Sequence, residues 1–418
     1  MDSMNPKELT TPYTTTQIFN IIRQNGEINR MGIAGISGVS KSTISHQINK
    51  LLKIGLIEEK VPSDSSQRKL KLKIRGDIGH VAGVFLGTTK LTIIIFTLDM
   101  QIVAEKDYFL DSISEPESCN REIIKQLKLL CREQGIDSLW GIGIGFPFPV
   151  NFREGKPDSP PNVPLWHGYP LKQLYEQEFG CPVLVDNDVN VMALGEGYMG
   201  CTQNASNFLF IKVGTGIGAG LIVDGKIYRG ANGCAGDIGH IAVDGSNVQC
   251  HCGNRGCLEA GFGGKALATK AQKKAAGGES PFLAERLKTK GHLSAVDIND
   301  GAIDGDLTCI QLIKDAGHSV GEVSAKLVNF FNPSSIVVGG GLSGFGNLFI
   351  GAIRESVIRR SLHLATYELN VCISELKQKS GPTGAGTLIL DHIFSSEEFS
   401  TTIERISFST PHSTDNPV

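Results

Sequence analysis

The chain has 418 residues, a formal net charge of -3, 40% hydrophobic residues and 20% charged residues. Its length exceeds one small core and predicts two or three domains, and its apolar content excludes a wholly disordered chain. Glycine is in excess, with 50 residues or about 12% against ~7% in typical proteins, but without the three-residue repeat of collagen. Charge is unevenly divided: residues 1–78 hold twelve Lys/Arg and seven Asp/Glu, and the remaining 340 hold 28 and 36. A small basic head on an acidic body is the pattern of a nucleic-acid reader joined to a separate sensor or enzyme. Met1 to Asn20 has no continuous apolar segment, and no window reaches the ~18 apolar residues of a membrane span. The expectation is a cytoplasmic protein without a membrane partner.

The head, residues 1–78, opens on a helical stripe of Ile18, Phe19, Ile21 and Ile22 that Gly26 ends. A second helix is predicted over Arg30 to Ile36 and a third over Lys41 to Leu52, with Gly38 turning between them, Ser40 as N-cap and Gly55 as the stop. Ile44, Ile48, Leu51 and Leu52 share the apolar face of the third helix. Its other face is read as Lys41, Ser42, Thr43, Ser45, His46 and Gln47, residue types suited to base edges and phosphates. Two short strands around Ser63-Asp64-Ser65-Ser66 follow, with Arg68, Lys69, Lys71 and Lys73 along the second. Helix, turn, polar helix and basic hairpin make a winged helix-turn-helix that reads DNA; a three-helix protein-interaction module is the alternative.

In the body, Val81 to Leu86, Leu91 to Leu98 and Gln101 to Tyr108 are predicted as a meander. A helix over Pro116 to Gln134, a strand over Leu139 to Ile144, a helix over Leu171 to Phe179 and a strand over Val183 to Val185 complete a lobe over 79–195. A similar order begins again at Phe208 to Lys212, Gly218 to Val223 and the Lys226 hairpin, with later strands at Ile336 to Val338 and near Leu369. This predicts a second α/β lobe over 196–382. A C-terminal helix over 383–395 is expected to pack back on the first lobe, and 396–418 reads as a loose tail.

Val213 to Gly220 has glycine at every second position, and Gly214, Gly216 and Ala219 fit a loose dinucleotide fingerprint. That fingerprint needs a helix to follow, whereas a strand and the Asp224-Gly225 turn follow here. The run is read as a tight turn whose bare amides approach a phosphate, the alternative being a hairpin without ligand. Three of the ten cysteines crowd into Cys250, Cys252 and Cys257, nine residues beyond Gly239-His240. One His and three Cys supply the four ligands of a closed structural zinc site. His251 competes, but it lies between two ligand cysteines, so His240 is assigned to close the loop. The other seven cysteines show no such spacing and are read as small buried or neutral residues.

The spacing Gly239-His240 to Cys250-x-Cys252-Gly253-x-x-Gly256-Cys257-x-Glu259 resembles the ROK family (repressor, open reading frame, kinase), which comprises sugar kinases and sugar-responsive repressors. Val185-Asp186-Asn187-Asp188-Val189-Asn190, the Gly214 to Gly220 run and Gly339-Gly340-Gly341 extend the likeness to nearly the whole chain. It implies a two-lobed α/β fold of the actin-like, sugar-kinase ATPase type behind the winged helix. It implies a sugar pocket of Asn187, Asp188, Asp237, His240 and Glu259, with Asp188 as general base in an active kinase. Gly87, Thr88, Gly214, Thr215, Gly216 and Gly340 would form the nucleotide or phosphate side, with ATP and magnesium as cofactors in a kinase.

Two positions depart from the family pattern. Phe85 stands where the first phosphate motif has Asp, and a phenyl ring cannot organise magnesium. Asp237 stands where Glu is usual, which changes the reach to a sugar hydroxyl. The expectation is therefore a sugar-responsive regulator, a repressor that binds operator DNA and a sugar or sugar phosphate. A sugar kinase with a DNA-binding head is the alternative, and a nicotinamide-dependent enzyme is third. A homodimer or dimer of dimers reading a symmetric site is expected, and a phosphotransferase-system protein is a further possible partner.

Overall fold

The structure, a computed structural model, describes residues 12–61, 70–87, 90–110, 113–160, 163–203 and 205–409. The head comprises α1 (Pro12–Asn25), α2 (Arg30–Ser37) and α3 (Lys41–Ile54), followed by the antiparallel pair β1 (Ile57–Lys60) and β2 (Lys71–Ile74). Its helix ends are set by the punctuation in the sequence. Gly38 turns with φ 66°, Ser40 Oγ accepts from the Thr43 amide at 3.2 Å, and Gly55 ends α3 at φ 80°. Ile18, Ile22, Ile33, Ile44, Ile48 and Leu51 fill its core, each stabilising the head by roughly 1.5–3 kcal/mol.

The first lobe runs β3 (His80–Leu86), β4 (Lys90–Thr97), β5 (Ile102–Phe109), α4 (Pro116–Glu133) and β6 (Gly141–Phe146). It continues with the hairpin β7 (Val150–Asn151) and β8 (Lys156–Pro157), then α5 (Leu171–Phe179) and β9 (Val183–Asn187). Its sheet has the order β5-β4-β3-β6-β9, antiparallel through the meander and parallel from β3 to β9. After α6 (Asp188–Met199), the second lobe sets out β10 (Phe208–Val213), β11 (Ile217–Val223) and β12 (Lys226–Tyr228). There follow α7 (Leu258–Phe262), α8 (Gly264–Ala276), α9 (Pro281–Lys290), α10 (Ala295–Ile303) and α11 (Leu307–Phe331). The lobe ends with β13 (Ser335–Gly339), α12 (Gly346–Arg360), α13 (His363–Thr366) and β14 (Asn370–Ile373). Its sheet order is β12-β11-β10-β13-β14.

The chain then returns through α14 (Ser380–Ile393), which lies on β3 and β6 of the first lobe, and ends in α15 (Phe399–Ser409). Two helices lie between the sheets: α14 on the first and α6 against β11 of the second. They cross almost backbone to backbone. A Cβ on Gly384 would stand 1.6 Å from the Val191 carbonyl, and one on Gly195 would stand 2.1 Å from that of Ser380. Only glycine permits this approach.

Of the loose tail expected over 396–418, the structure forms a helix over α15, and residues 410–418 lie outside the described residues. Phe399 is buried with its ring 5.3 Å from Phe19, and Thr402 Oγ1 donates to the Ile393 carbonyl at 2.9 Å. The helix is held by tertiary contacts that a short Ser/Thr-rich sequence does not advertise. The same corner fastens the head to the body. The rings of Phe19 and Phe394 are 4.6 Å apart, Asn20 Nδ2 donates to the Phe394 carbonyl at 2.9 Å, and Arg23 pairs with Asp391 at 2.5 Å. Arg23 also lies beside Tyr198 near the end of α6, and burial raises the Tyr198 hydroxyl above its ordinary range.

Candidate functional site

Strand β9 ends and α6 begins at Asn187, so the family-like segment sits at a helix N-terminus, where a carboxylate is favoured. Asn187 caps the helix, accepting from the Val189 amide at 2.9 Å and donating to the Phe148 carbonyl at 3.2 Å. Asp188 is buried and pairs through Oδ2 with Lys212 Nζ of β10. Asp186, also buried, accepts Arg229 Nε at 2.9 Å and Arg229 Nη2 at 2.6 Å on one oxygen. Its other oxygen takes Asn190 Nδ2 at 2.8 Å. The Arg229 guanidinium covers the Phe152 ring at 3.6 Å. Lys212 and Arg229 were missed by the sequence reading. Lys212 had a signal, as the one charge in the apolar run Phe208 to Val213, whereas Arg229 had none.

Glu259 enters from α7. Its Oε2 accepts the Ile217 amide at 2.9 Å, and a Cβ on Gly216 would stand 2.7 Å from that oxygen. Lys212 pairs with Gly218 and Val213 with Ile217 in the β10–β11 ladder. Asp188, through Lys212, and Glu259, through Ile217, therefore meet adjacent steps of one hairpin. Asp237 is exposed, with Oδ1 3.9 Å from His240 Nε2. The structure thus gathers the five predicted sugar-pocket residues around the ends of β9, β10 and β11.

His240, Cys250, Cys252 and Cys257 bring their ligand atoms within 4.8 Å of one another. His240 Nδ1 is 3.5 Å from Cys250 Sγ, and Cys252 Sγ is 3.7 Å from Cys257 Sγ. Ligands at ~2.0–2.3 Å from a tetrahedral zinc ion stand about 3.5–3.8 Å apart, so the set fits such an ion. Nδ1 faces the thiols, which leaves Nε2 toward Asp237. Backbone hydrogen bonding at Asn254 holds the Cys252 thiol at about 7, and burial pushes Cys257 up to about 12. His251 lies outside the four, 3.8 Å from Cys250 Sγ and 3.7 Å from Glu259 Oε1.

Of the phosphate-like residues, Gly214 and Gly340 come together: a Cβ on Gly214 would be 3.8 Å from the Gly341 amide, and one on Gly340 2.6 Å from the Val213 carbonyl. The turn between β10 and β11 covers 214–216, with 217–220 already in β11, and the Gly214 amide donates across it to the Gly216 carbonyl at 2.9 Å. Gly87 closes its own hairpin onto the Lys90 carbonyl at 2.7 Å, and Thr88 lies outside the described residues. Phe85 is wedged against α14, with its ring 2.1 Å from a Cβ placed on Gly381.

On α3, Lys41, Ser42 and His46 are exposed and Thr43 and Ser45 half-exposed. Gln47 is not on that face, which corrects the sequence reading. It is buried, and its Oε1 accepts from Thr15 Oγ1 at 2.6 Å, fastening α3 to α1. Asn49 and Lys50 are also exposed and continue the open stripe at helical spacing. Arg68 and Lys69 lie outside the described residues. Lys71 and Lys73 are paired with Glu27 at 3.4 Å and Glu58 at 2.9 Å. Replacing His46 or Lys50 by alanine is expected to weaken DNA binding by about 1–3 kcal/mol without changing stability. Gln47→Ala should instead lower stability by about 0.5–1.5 kcal/mol, because the buried hydrogen bond that ties α3 to α1 is lost. Parallel DNA-binding and denaturation titrations separate the two cases.

Among the described residues, no helix is long and apolar enough to cross a membrane. A xylose repressor from Caldicellulosiruptor bescii is 29% identical over 387 residues, covering 91% of this chain and 96% of that protein. The crystal structure of a ROK family transcriptional regulator, a homolog of the E. coli MLC protein, matches with a TM-score of 0.82 at 24% identity. It covers 94% of this chain and 99% of that one. A ROK family glucokinase from Streptomyces griseus, in complex with glucose and AMPPNP, matches with a TM-score of 0.65 at 28% identity, covering 74% of this chain and 99% of that one. The fold is thus the two-lobed sugar-kinase type behind a helix-turn-helix head. The winged helix-turn-helix DNA-binding profile matches residues 13–58, and the ROK family profile matches residues 81–392. The chain belongs to the ROK family.

Proposed function

We propose that this protein is a DNA-binding transcriptional regulator, a repressor of carbohydrate uptake or metabolism genes, whose operator affinity is set by a sugar or sugar phosphate in the cleft. The observation that carries this reading is the course of α6. It begins at Asp188 in the site, crosses α14 and ends beside Arg23 of the head. A sugar held by Asn187, Asp188, Asp237, His240 and Glu259 would draw the lobes together and tilt α6 at both ends. Zinc on His240, Cys250, Cys252 and Cys257 would orient the His240 ring so that Nε2 faces a sugar hydroxyl. The stripe from Lys41 to Lys50 would enter the major groove, with two heads of a homodimer reading a symmetric site.

The kinase alternative is disfavoured by two features of the site. Phe85 offers no oxygen to magnesium, and one oxygen of Asp188 already holds Lys212. ATP-dependent phosphorylation is therefore expected to be negligible across aldoses; turnover in the usual enzymatic range of about 1–1000 s⁻¹ would overturn this part. Gel shifts against the protein's own promoter, with a panel of aldoses, amino sugars and their phosphates, test the reading as a whole. One sugar should change operator affinity about tenfold or more, which corresponds to about 1.4 kcal/mol of coupling. No operator shift under any condition would sink it.

A further inference from the structure

Away from the sugar site, the described residues bring a second set of cysteines together. The chain leaves α6 for the second lobe through residues 200–207 and returns from β14 to α14 through residues 374–379. One buried carboxylate clasps both crossings. Glu196, 0% exposed in α6, accepts from the Cys201 amide at 3.2 Å on the outgoing crossing. On the returning crossing it accepts from Ser374 Oγ at 2.5 Å, the Leu376 amide at 3.0 Å and the Glu375 amide at 3.4 Å. Buried and saturated with donors, this group ties the two crossings together, which makes them the candidate hinge between the lobes.

At the same place, Cys201 Sγ and Cys372 Sγ are 3.2 Å apart, although 171 residues separate them in sequence. Cys201 begins the outgoing crossing, and Cys372 lies in β14 two residues before Ser374. Both are partly exposed, and a surface cavity lined by Gly200, Cys201, Thr202 and Glu375 opens beside Cys201. Cys119 and Cys309, by contrast, are buried in the cores. We propose that Cys201 and Cys372 are a redox-active pair that closes to a disulfide across the hinge and fixes the lobes relative to each other.

Hydrogen peroxide is an oxidant small enough for the cavity. The Cys372 sulfur attacks one peroxide oxygen, the O–O bond breaks, and a water leaves with the thiol proton, giving a sulfenic acid. The Cys201 sulfur then attacks the Cys372 sulfur; the S–O bond breaks, the S–S bond forms, and a second water carries off the Cys201 proton. Two thiols lose two electrons and two protons, and one peroxide becomes two waters. The hydrogen bond between the two thiols lowers Cys372 below the ordinary thiol range and raises Cys201 above it, which favours Cys372 as the attacking sulfur.

Full-length protein with zinc added is treated with hydrogen peroxide, its free thiols are alkylated, and the peptides are mapped. A Cys201–Cys372 peptide should form, reverse with dithiothreitol and be absent from Cys201→Ser. If Cys201→Ser does not fold, as read by circular dichroism, Cys372→Ala replaces it. Amide exchange over residues 374–379 should slow about tenfold on oxidation, because opening of the hinge is suppressed. The sugar-dependent change in operator affinity should shrink toward unity in the oxidised protein and persist in the peroxide-treated variant. That last effect rests on the sugar-sensing reading; the peptide map and the exchange rates do not. Recovery of both thiols alkylated under conditions that oxidise the exposed Cys234 would overturn the proposal. So would a disulfide that leaves exchange over 374–379 unchanged.

Discussion

Cys252→Ser is expected to release the proposed zinc ion and to lower sugar affinity on the order of 100-fold. Three thiolates and one imidazole close a structural zinc site, and such sites contribute roughly 10–16 kcal/mol of apparent binding free energy in small peptides at neutral pH. A serine hydroxyl is a poor replacement for a thiolate, so the loop from Cys250 to Cys257 loses its centre. His240 is then free to rotate, and Glu259, two residues beyond Cys257, loses its fixed approach to the Ile217 amide. Metal content by mass spectrometry and sugar affinity by calorimetry should fall together. Full sugar affinity in a zinc-free variant would break the link between metal and pocket.

Phe394→Ala is expected to cost about 3–5 kcal/mol of stability, because its buried ring fills the junction between Phe19 and Phe399. The larger consequence concerns the head. With this contact gone, the head is held at that corner by the Phe19–Phe399 contact, Asn20 and Arg23. Calorimetric unfolding should then split into two transitions, one for the head and one for the body. Sugar affinity should stay within about twofold of wild type, since the cleft is untouched, while the effect of sugar on operator binding falls about tenfold. A single transition with unaltered sugar response would place the coupling elsewhere.

Much of this architecture could be read from residue order because it depends on local signals. Gly38, Ser40 and Gly55 set the ends of the head helices in the expected places, and alternating apolar runs located the strands of both sheets. The His/Cys cluster was legible for the same reason: Cys250, Cys252 and Cys257 lie within eight residues, and His240 is ten from the first. What escaped was set by folding at long range. Lys212 reaches Asp188 across 24 residues, Arg229 reaches Asp186 across 43, and Ser374 reaches Glu196 across 178. Cys201 and Cys372 read as small buried or neutral residues when judged by spacing alone, yet their sulfurs meet. Gln47 was misplaced because a polar residue on a helix looks exposed until its partner, Thr15, is seen. α15 looked like a tail because Phe399 alone does not reveal the two rings it packs against.

The central claim is that one ligand in the cleft and one on the head share a free energy. Thermodynamic linkage makes this directly measurable, because each ligand must change the other's affinity by the same factor. The decisive measurement is sugar affinity by calorimetry, on free protein and on protein saturated with operator DNA, set beside operator affinity with and without saturating sugar. The account predicts two equal ratios of about tenfold or more, both reduced toward unity in Phe394→Ala. Sugar binding with the same affinity to free and operator-bound protein would contradict it.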